Sequence, residues 1–317
     1  MIATVVGTSD RERTVRRATT MALALLVAWA TFVVLASPAS ARPGATGTMK
    51  IDNGAAYTAT TTVTVNSSMA NATQMQFRDS GGIWTVWEPY SATRAWTLPA
   101  GDGTKTVEAR YKGRTGKTTF KSDTIVLDTA VPVLTGVSSS SHPDEALWFS
   151  VADVVLDWSP QADDSGVAGY SFVLDQAPDT TPDTVADGAA ATTTFTGVSD
   201  GVWYFHVRAV DGAGNWGATL HRTVRVDVTA PVTADDYDGL PAPMITFTLT
   251  PVDDHSGVVL TEYRVDGGPW KTGSGVTLAK KIRHKRQGLA GGEHVVEYRS
   301  ADDAGNVEPI KSCVVTL

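Results

Sequence analysis

The sequence repeats one pattern three times, and that repetition limits the fold more than any other feature. The three copies are Gly103-Thr104-Lys105-Thr106-Val107-Glu108-Ala109-Arg110, Gly201-Val202-Trp203-Tyr204-Phe205-His206-Val207-Arg208 and Gly292-Glu293-His294-Val295-Val296-Glu297-Tyr298-Arg299. Each opens on a glycine and reaches an arginine seven residues later, and the arginines recur at spacings of 98 and 91 residues. That spacing is the length of one β-sandwich module. Within each copy, Val107 and Ala109, Phe205 and Val207, Val296 and Tyr298 alternate with Glu108 and Arg110, His206 and Arg208, Glu297 and Arg299. Alternate side chains of a strand point to opposite faces, so the first set is expected in a core and the second on a wetter face. Glu and Arg two apart on that face are placed to pair.

The flanks of the pattern repeat too. Asp211-Gly212-Ala213-Gly214-Asn215 matches Asp302-Asp303-Ala304-Gly305-Asn306, with Gly113 to Lys117 as a degenerate copy; these read as hairpin turns. Asp163-Asp164-Ser165-Gly166 matches Asp253-Asp254-His255-Ser256-Gly257, each ahead of a tyrosine-bearing strand. Leu127-Asp128-Thr129-Ala130-Val131-Pro132 matches Val226-Asp227-Val228-Thr229-Ala230-Pro231. Proline fixes φ and donates nothing to a ladder, so these read as short, stiff connectors. No stretch after the first 41 residues sustains helical periodicity. The expected fold is all-β: three tandem immunoglobulin-like β-sandwich modules, 42-129, 130-229 (equally fibronectin-III-like) and 230-317, after a cleaved signal peptide, 1-41.

The leader reading rests on Arg11, Arg13, Arg16 and Arg17, the apolar run Met21 to Leu35, and the Ala39-x-Ala41 cleavage pattern. The run is short for a membrane span, which needs about 20 residues; an uncleaved anchor is the alternative. With the leader's Asp10 and Glu12 counted, its net charge is +2, so the −8 of the whole chain becomes −10 for the remainder. Such an acidic surface repels phosphate backbones, so nucleic acid is excluded as a general partner. Cys313 is the single cysteine, so no intramolecular disulfide forms; in Ser312-Cys313-Val314-Val315 it reads as a small buried hydrophobe.

These motifs resemble bacterial immunoglobulin-like and fibronectin-type-III-like modules of surface proteins. Residues 230 to 317 are similar to a more specific group. Ser256-Gly257-Val258, Thr261-Glu262-Tyr263-Arg264-Val265-Asp266-Gly267-Gly268, Trp270 and Glu297-Tyr298-Arg299-Ser300-Ala301-Asp302-Asp303-Ala304-Gly305-Asn306 look like the β-module family first named from a spirochaete outer-membrane protein. The resemblance implies secreted or surface proteins, and modules that accompany adhesins or carbohydrate enzymes. It carries no catalytic residues.

Three features are candidates for binding. Lys280, Lys281, Arg283, Lys285 and Arg286 form a basic insertion that suits an anionic polymer, phospholipid headgroups or an acidic protein, or is a solvated loop. Asp128, Asp163, Asp164 and Asp211, and likewise Asp227, Asp253, Asp254 and Asp302, are placed to converge at module ends, where carboxylates supply the oxygens calcium wants; plain turn chemistry uses the same residues. Trp84 and Trp87, in Trp84-Thr85-Val86-Trp87, are expected on opposite faces of one strand, leaving one exposed to stack on a sugar; core packing is the alternative. No histidine lies in a recognisable nucleophile or zinc motif. The expected function is therefore non-catalytic: a monomeric secreted or cell-surface binding or spacer protein acting on a cell-envelope polymer, glycan or surface protein. The alternative is a carbohydrate-binding accessory protein.

Overall fold

The computed structural model describes residues 44–281 and 288–317. Strands dominate these residues, and they form six sheets around three hydrophobic clusters. The first pair of sheets runs Thr46–Ile51, Thr62–Ala70, Thr93–Thr97 on one side. The other side runs Tyr57–Thr58, Thr118–Leu127, Gly103–Gly113, Ala72–Asp79, Glu88–Pro89. The second pair sets Thr192–Phe195, Val154–Pro160, Leu134–Ser139 against Val167–Asp175, Gly201–Asp211, Leu220–Val226. The third sets Val232–Asp235, Met244–Val252, Gly275–Ala279 against Lys271–Thr272, Val258–Val265, Glu293–Asp302, Lys311–Thr316. Each sandwich puts its copy of the repeat inside a sheet, paired on both edges. Among the described residues no helix is long and apolar enough to cross a membrane.

The alternation read from the sequence is the burial observed. Val107, Ala109, Phe205, Val207 and Val296 are fully buried, and Tyr298 nearly so. Each large apolar side chain removed from water stabilises its sandwich by about 1.5–3 kcal/mol. In the second sandwich Trp158 is the hub, with ring centroids 5.2 Å from Tyr170 and 5.7 Å from Phe205. Buried hydroxyls find partners: Tyr111 meets Ser67, and burial pushes its pKa up to about 12. The Tyr298 hydroxyl donates across the third sandwich to Asp235 Oδ2 at 2.6 Å. Cys313 is half-buried rather than buried, packed on the third cluster, with its thiol pushed up to about 11 by burial.

Two expectations for the wetter face are corrected. Glu and Arg pair across strands, not along them: Arg78 with Glu108 at 2.6 Å, Arg264 with Glu297 at 2.8 Å, Arg299 with Glu262 at 2.7 Å. Directly opposed residues in an antiparallel ladder have Cβ atoms about 5 Å apart, closer than same-face neighbours along one strand. His206, expected on this face, is fully buried, because Nε2 donates to the Ala177 carbonyl at 2.9 Å and Nδ1 meets His221 Nδ1 at 2.6 Å.

Candidate functional site

The connectors are where the repeat does something beyond building sheets. Asp128 is fully buried. Its Oδ1 accepts from Ala130 N (3.1 Å) and its Oδ2 from Ser165 N (3.0 Å), while its carbonyl accepts from Asn215 Nδ2 (2.9 Å). Asp227, also fully buried, repeats this with Thr229 N (3.2 Å), Ser256 N (2.9 Å) and Asn306 Nδ2 (2.8 Å). One aspartate thus closes its own connector and holds two loops of the sandwich that follows. From the preceding side, Asp102 accepts from Thr129 N and Oγ1 (3.0 and 2.9 Å). Asp200 likewise accepts from Val228 N and Thr229 Oγ1 (2.6 and 2.5 Å).

The Asp-to-Asn turns are built for this clasp. Gly214 and Gly305 take φ of +94°, which a side chain resists. The asparagines do not use positive φ, as a hairpin reading implied; they work through their amides. Asn215 Nδ2 donates to Asp211 Oδ2 at 2.8 Å as well as to the connector, and Asn306 does the same to Asp302 at 2.8 Å. At the first connector Gly217 leaves room for the Pro132 carbonyl, which would lie 2.1 Å from a Cβ there.

The turns also gather carboxylates. Asp128, Asp163 and Asp211 bring one oxygen each within 4.8 Å of one another, and so do Asp227, Asp253 and Asp302. Asp164 and Asp254, expected in the same clusters, are exposed and stay out. Their neighbours Asp163 and Asp253 turn inward because they accept from the amides of Ser165 (3.1 Å) and Gly257 (2.7 Å). Among the described residues no Lys or Arg pairs with either triad, although Asp128 and Asp227 are fully buried and Asp211 and Asp302 are 2% exposed. Asp200 and His255, which sequence reasoning passed over, gather with Asp227 at the second connector within the same 4.8 Å. Their only sequence signal is that His255 is an extra residue relative to the first connector's loop.

The other candidates fare differently. Lys280 and Lys281 are exposed; Arg283, Lys285 and Arg286, like the expected leader, lie outside the described residues. Trp84 and Trp87 are not on opposite faces. Residues 83–87 leave the ladder, held by Thr85 N on the Phe77 carbonyl at 2.8 Å, and both rings fold over the same sheet face. There Arg78 and Arg110 lie 4.5 and 4.0 Å from the Trp84 ring and Lys112 lies 5.6 Å from Trp87. Trp96 packs against the first core. The one Ser–His hydrogen bond among the described residues, Ser141 Oγ to His142 Nδ1 at 2.8 Å, has an imidazole only 1% exposed. Burial lowers its pKa, and no substrate reaches it.

No protein-family model and no curated protein matches the chain. It is similar to solved structures at low overlap. Fibronectin(III)-like modules of CbhA from Clostridium thermocellum give a TM-score of 0.37 at 13% identity, over 56% of this chain and 93% of theirs. A tetra-tandem repeat from the extending region of a large adhesion protein gives 0.31 at 21%, over 86% and 74%. Three N-terminal domains of the bacteriophage RB49 outer capsid protein Hoc give 0.32 at 9%, over 86% and 98%.

Proposed function

We propose that this chain is a non-catalytic, extracellular binding and spacer protein whose sandwiches are held in sequence by the aspartate clasps, and that it acts at a cell envelope. The observation that carries the reading is the duplicated clasp: the same buried aspartate, asparagine latch and loop amide recur at both connectors. A clasp of that kind serves to fix one sandwich against the next, and nothing in a catalytic cycle needs it twice. The likeness of residues 230–317 to the spirochaete-named β-modules belongs to the same proposal.

The two carboxylate triads are assigned to calcium within this reading. Buried like charges without a basic partner are costly, and a hard cation that takes six to eight oxygens relieves them. Millimolar calcium is expected to raise the melting temperature over that in EDTA, by about 2.7 kcal/mol of stability at a hundredfold excess over Kd. An unchanged melting temperature would return the triads to turn chemistry alone.

The function itself is tested by offering the full chain to cell-envelope fractions while assaying ester, glycan and peptide hydrolysis. Retention without turnover is expected. Turnover that follows the chain through every purification step refutes the reading.

A further inference from the structure

The three arginines of the repeat occupy one structural position, and comparing them shows that two, Arg110 and Arg208, lack the partner the fold provides to Arg299. In the third sandwich Arg299 lies 4.7 Å from the Trp270 ring, and its guanidinium is met by Glu262, directly opposite on the neighbouring strand, with Nε donating to Oε1 at 2.7 Å. In the second, Arg208 lies 4.8 Å from one ring, Trp216, and faces Ser171, whose hydroxyl is tied to Asp183 at 3.3 Å, and its Nε is also buried without a partner. In the first, Arg110 is held between two rings, 4.0 Å from Trp84 and 4.7 Å from Phe120. Opposite it stands Gln76, not a glutamate. Arg110 Nε is buried without a partner, and among the described residues the guanidinium makes no hydrogen bond or ion pair.

The surroundings favour an external anion there. Arg78 is neutralised by Glu108, so Arg110 and Lys112 are left as uncompensated cations on this face of an otherwise acidic chain. A cavity of about 570 Å³ on this side is lined by Arg78, Glu108, Phe120, Lys121 and Ser122; Arg110 is not in its lining but stacks on Phe120, which is. Phe120 is 59% exposed, and Ile83 and Val86 are 95% and 84% exposed. A planar guanidinium held between rings is pre-organised for a bidentate oxyanion. The partner this position takes elsewhere in the fold is a carboxylate, Glu262 on Arg299, which points to a carboxylate here as well. The face of a sheet offers side chains and no free backbone groups, so an extended peptide gains no ladder there. Hydroxyl and amide side chains beside aromatic faces suit a sugar instead.

We propose that this face of the first sandwich binds a carboxylated glycan, with Arg110 taking the carboxylate in the place that Glu262 takes on Arg299. Trp87 and Phe120 supply the apolar surface for the sugar ring.

The test uses the full chain and polygalacturonate as the probe, with its methyl-esterified form and polyglutamate as comparisons, followed by isothermal titration at low salt. Polygalacturonate is expected to bind, and the ester and polyglutamate to bind far more weakly. Arg110→Gln is expected to weaken binding by about tenfold or more. Because that variant also disturbs the stack, Gln76→Glu is the second probe: it gives Arg110 the partner Arg299 already has, and is expected to abolish binding while raising the melting temperature. Arg299→Gln is expected to leave binding within about twofold, since its guanidinium is already partnered. No binding of polygalacturonate, or binding that survives Gln76→Glu, overturns the proposal. Equal binding of polyglutamate overturns the glycan and assigns the face to an acidic peptide.

Discussion

Replacing Asn306 by alanine tests the clasp at its narrowest point. The amide Nδ2 makes two bonds, to the Asp227 carbonyl and to Asp302 Oδ2, both 2.8 Å. A neutral hydrogen bond contributes about 1 kcal/mol and one to a charged acceptor about 2. Both acceptors belong to buried residues, so neither is rescued fully by water. The expected loss is about 3 kcal/mol, which for a sandwich of this size lowers its melting transition by roughly 15 °C. Asn215→Ala is expected to cost the same, because Asn215 makes the matching bonds to Asp128 and Asp211. Asn306→Asp keeps the shape but removes the donor and sets a further carboxylate beside the triad, so in EDTA it is expected to cost more than alanine. Calorimetry of the full chain in EDTA reads all three. Alanine losses below about 1 kcal/mol would mean water replaces the amide, and the clasp would not be what holds the connectors. An Asn306→Asp variant as stable as the parent would refute the electrostatic half of the reasoning.

Glu308 is 4% exposed and binds Thr233 N (3.0 Å), Ser300 N (2.8 Å) and Lys311 (3.0 Å). Burial pulls its pKa up, but the bonds from Thr233 and Lys311 outweigh that and hold it below its ordinary 4.5. Its contribution is therefore present above the unfolded value and lost as pH falls through the folded one. Glu308→Ala is expected to cost about 3 kcal/mol at neutral pH and to flatten the acid limb of the stability curve. His294 lies 2.6 Å from Asp266, whose hydrogen bond raises the imidazole above 6.5 while the carboxyl is lowered. The histidine's share is complete below 6.5 and lost as pH rises through its folded value; the aspartate's is lost at acid pH. His294→Gln should remove the alkaline loss between those values in a melting series, and an unchanged series would count against the pair. Gly217→Ala would set a Cβ 2.1 Å from the Pro132 carbonyl, so about 2 kcal/mol should be lost at the first connector, with a shifted amide signal at Val133 as the marker.

The sandwiches were legible because a period of two, repeated at a fixed spacing, leaves few alternatives for Val107, Phe205 and Val296. The convergence of Asp128 with Asp163 and Asp211 was legible too, since repeats at matching offsets place matching residues together. What the sequence hid is decided by neighbours in space. Nothing adjacent to Asn215 or Asn306 points to the carbonyl of a connector 87 or 79 residues away. The burial of His206 depends on Ala177 and His221, which no alternation rule pairs with it. The shared face of Trp84 and Trp87 follows from a departure from the ladder that spacing alone does not reveal.

The clasp makes the unit that folds different from the unit that can be copied. Asp128 ends the run of the first sandwich's last strand, yet the amide of Ser165 and the amide group of Asn215 rely on it. A segment excised at Pro132 or Pro231 leaves its anchoring residue behind in the donor. A segment excised just before Asp128 or Asp227 carries its own. Shuffling of such segments between genes would therefore succeed with breakpoints upstream of the aspartate and fail with breakpoints at the proline, although the proline is where the eye places the border.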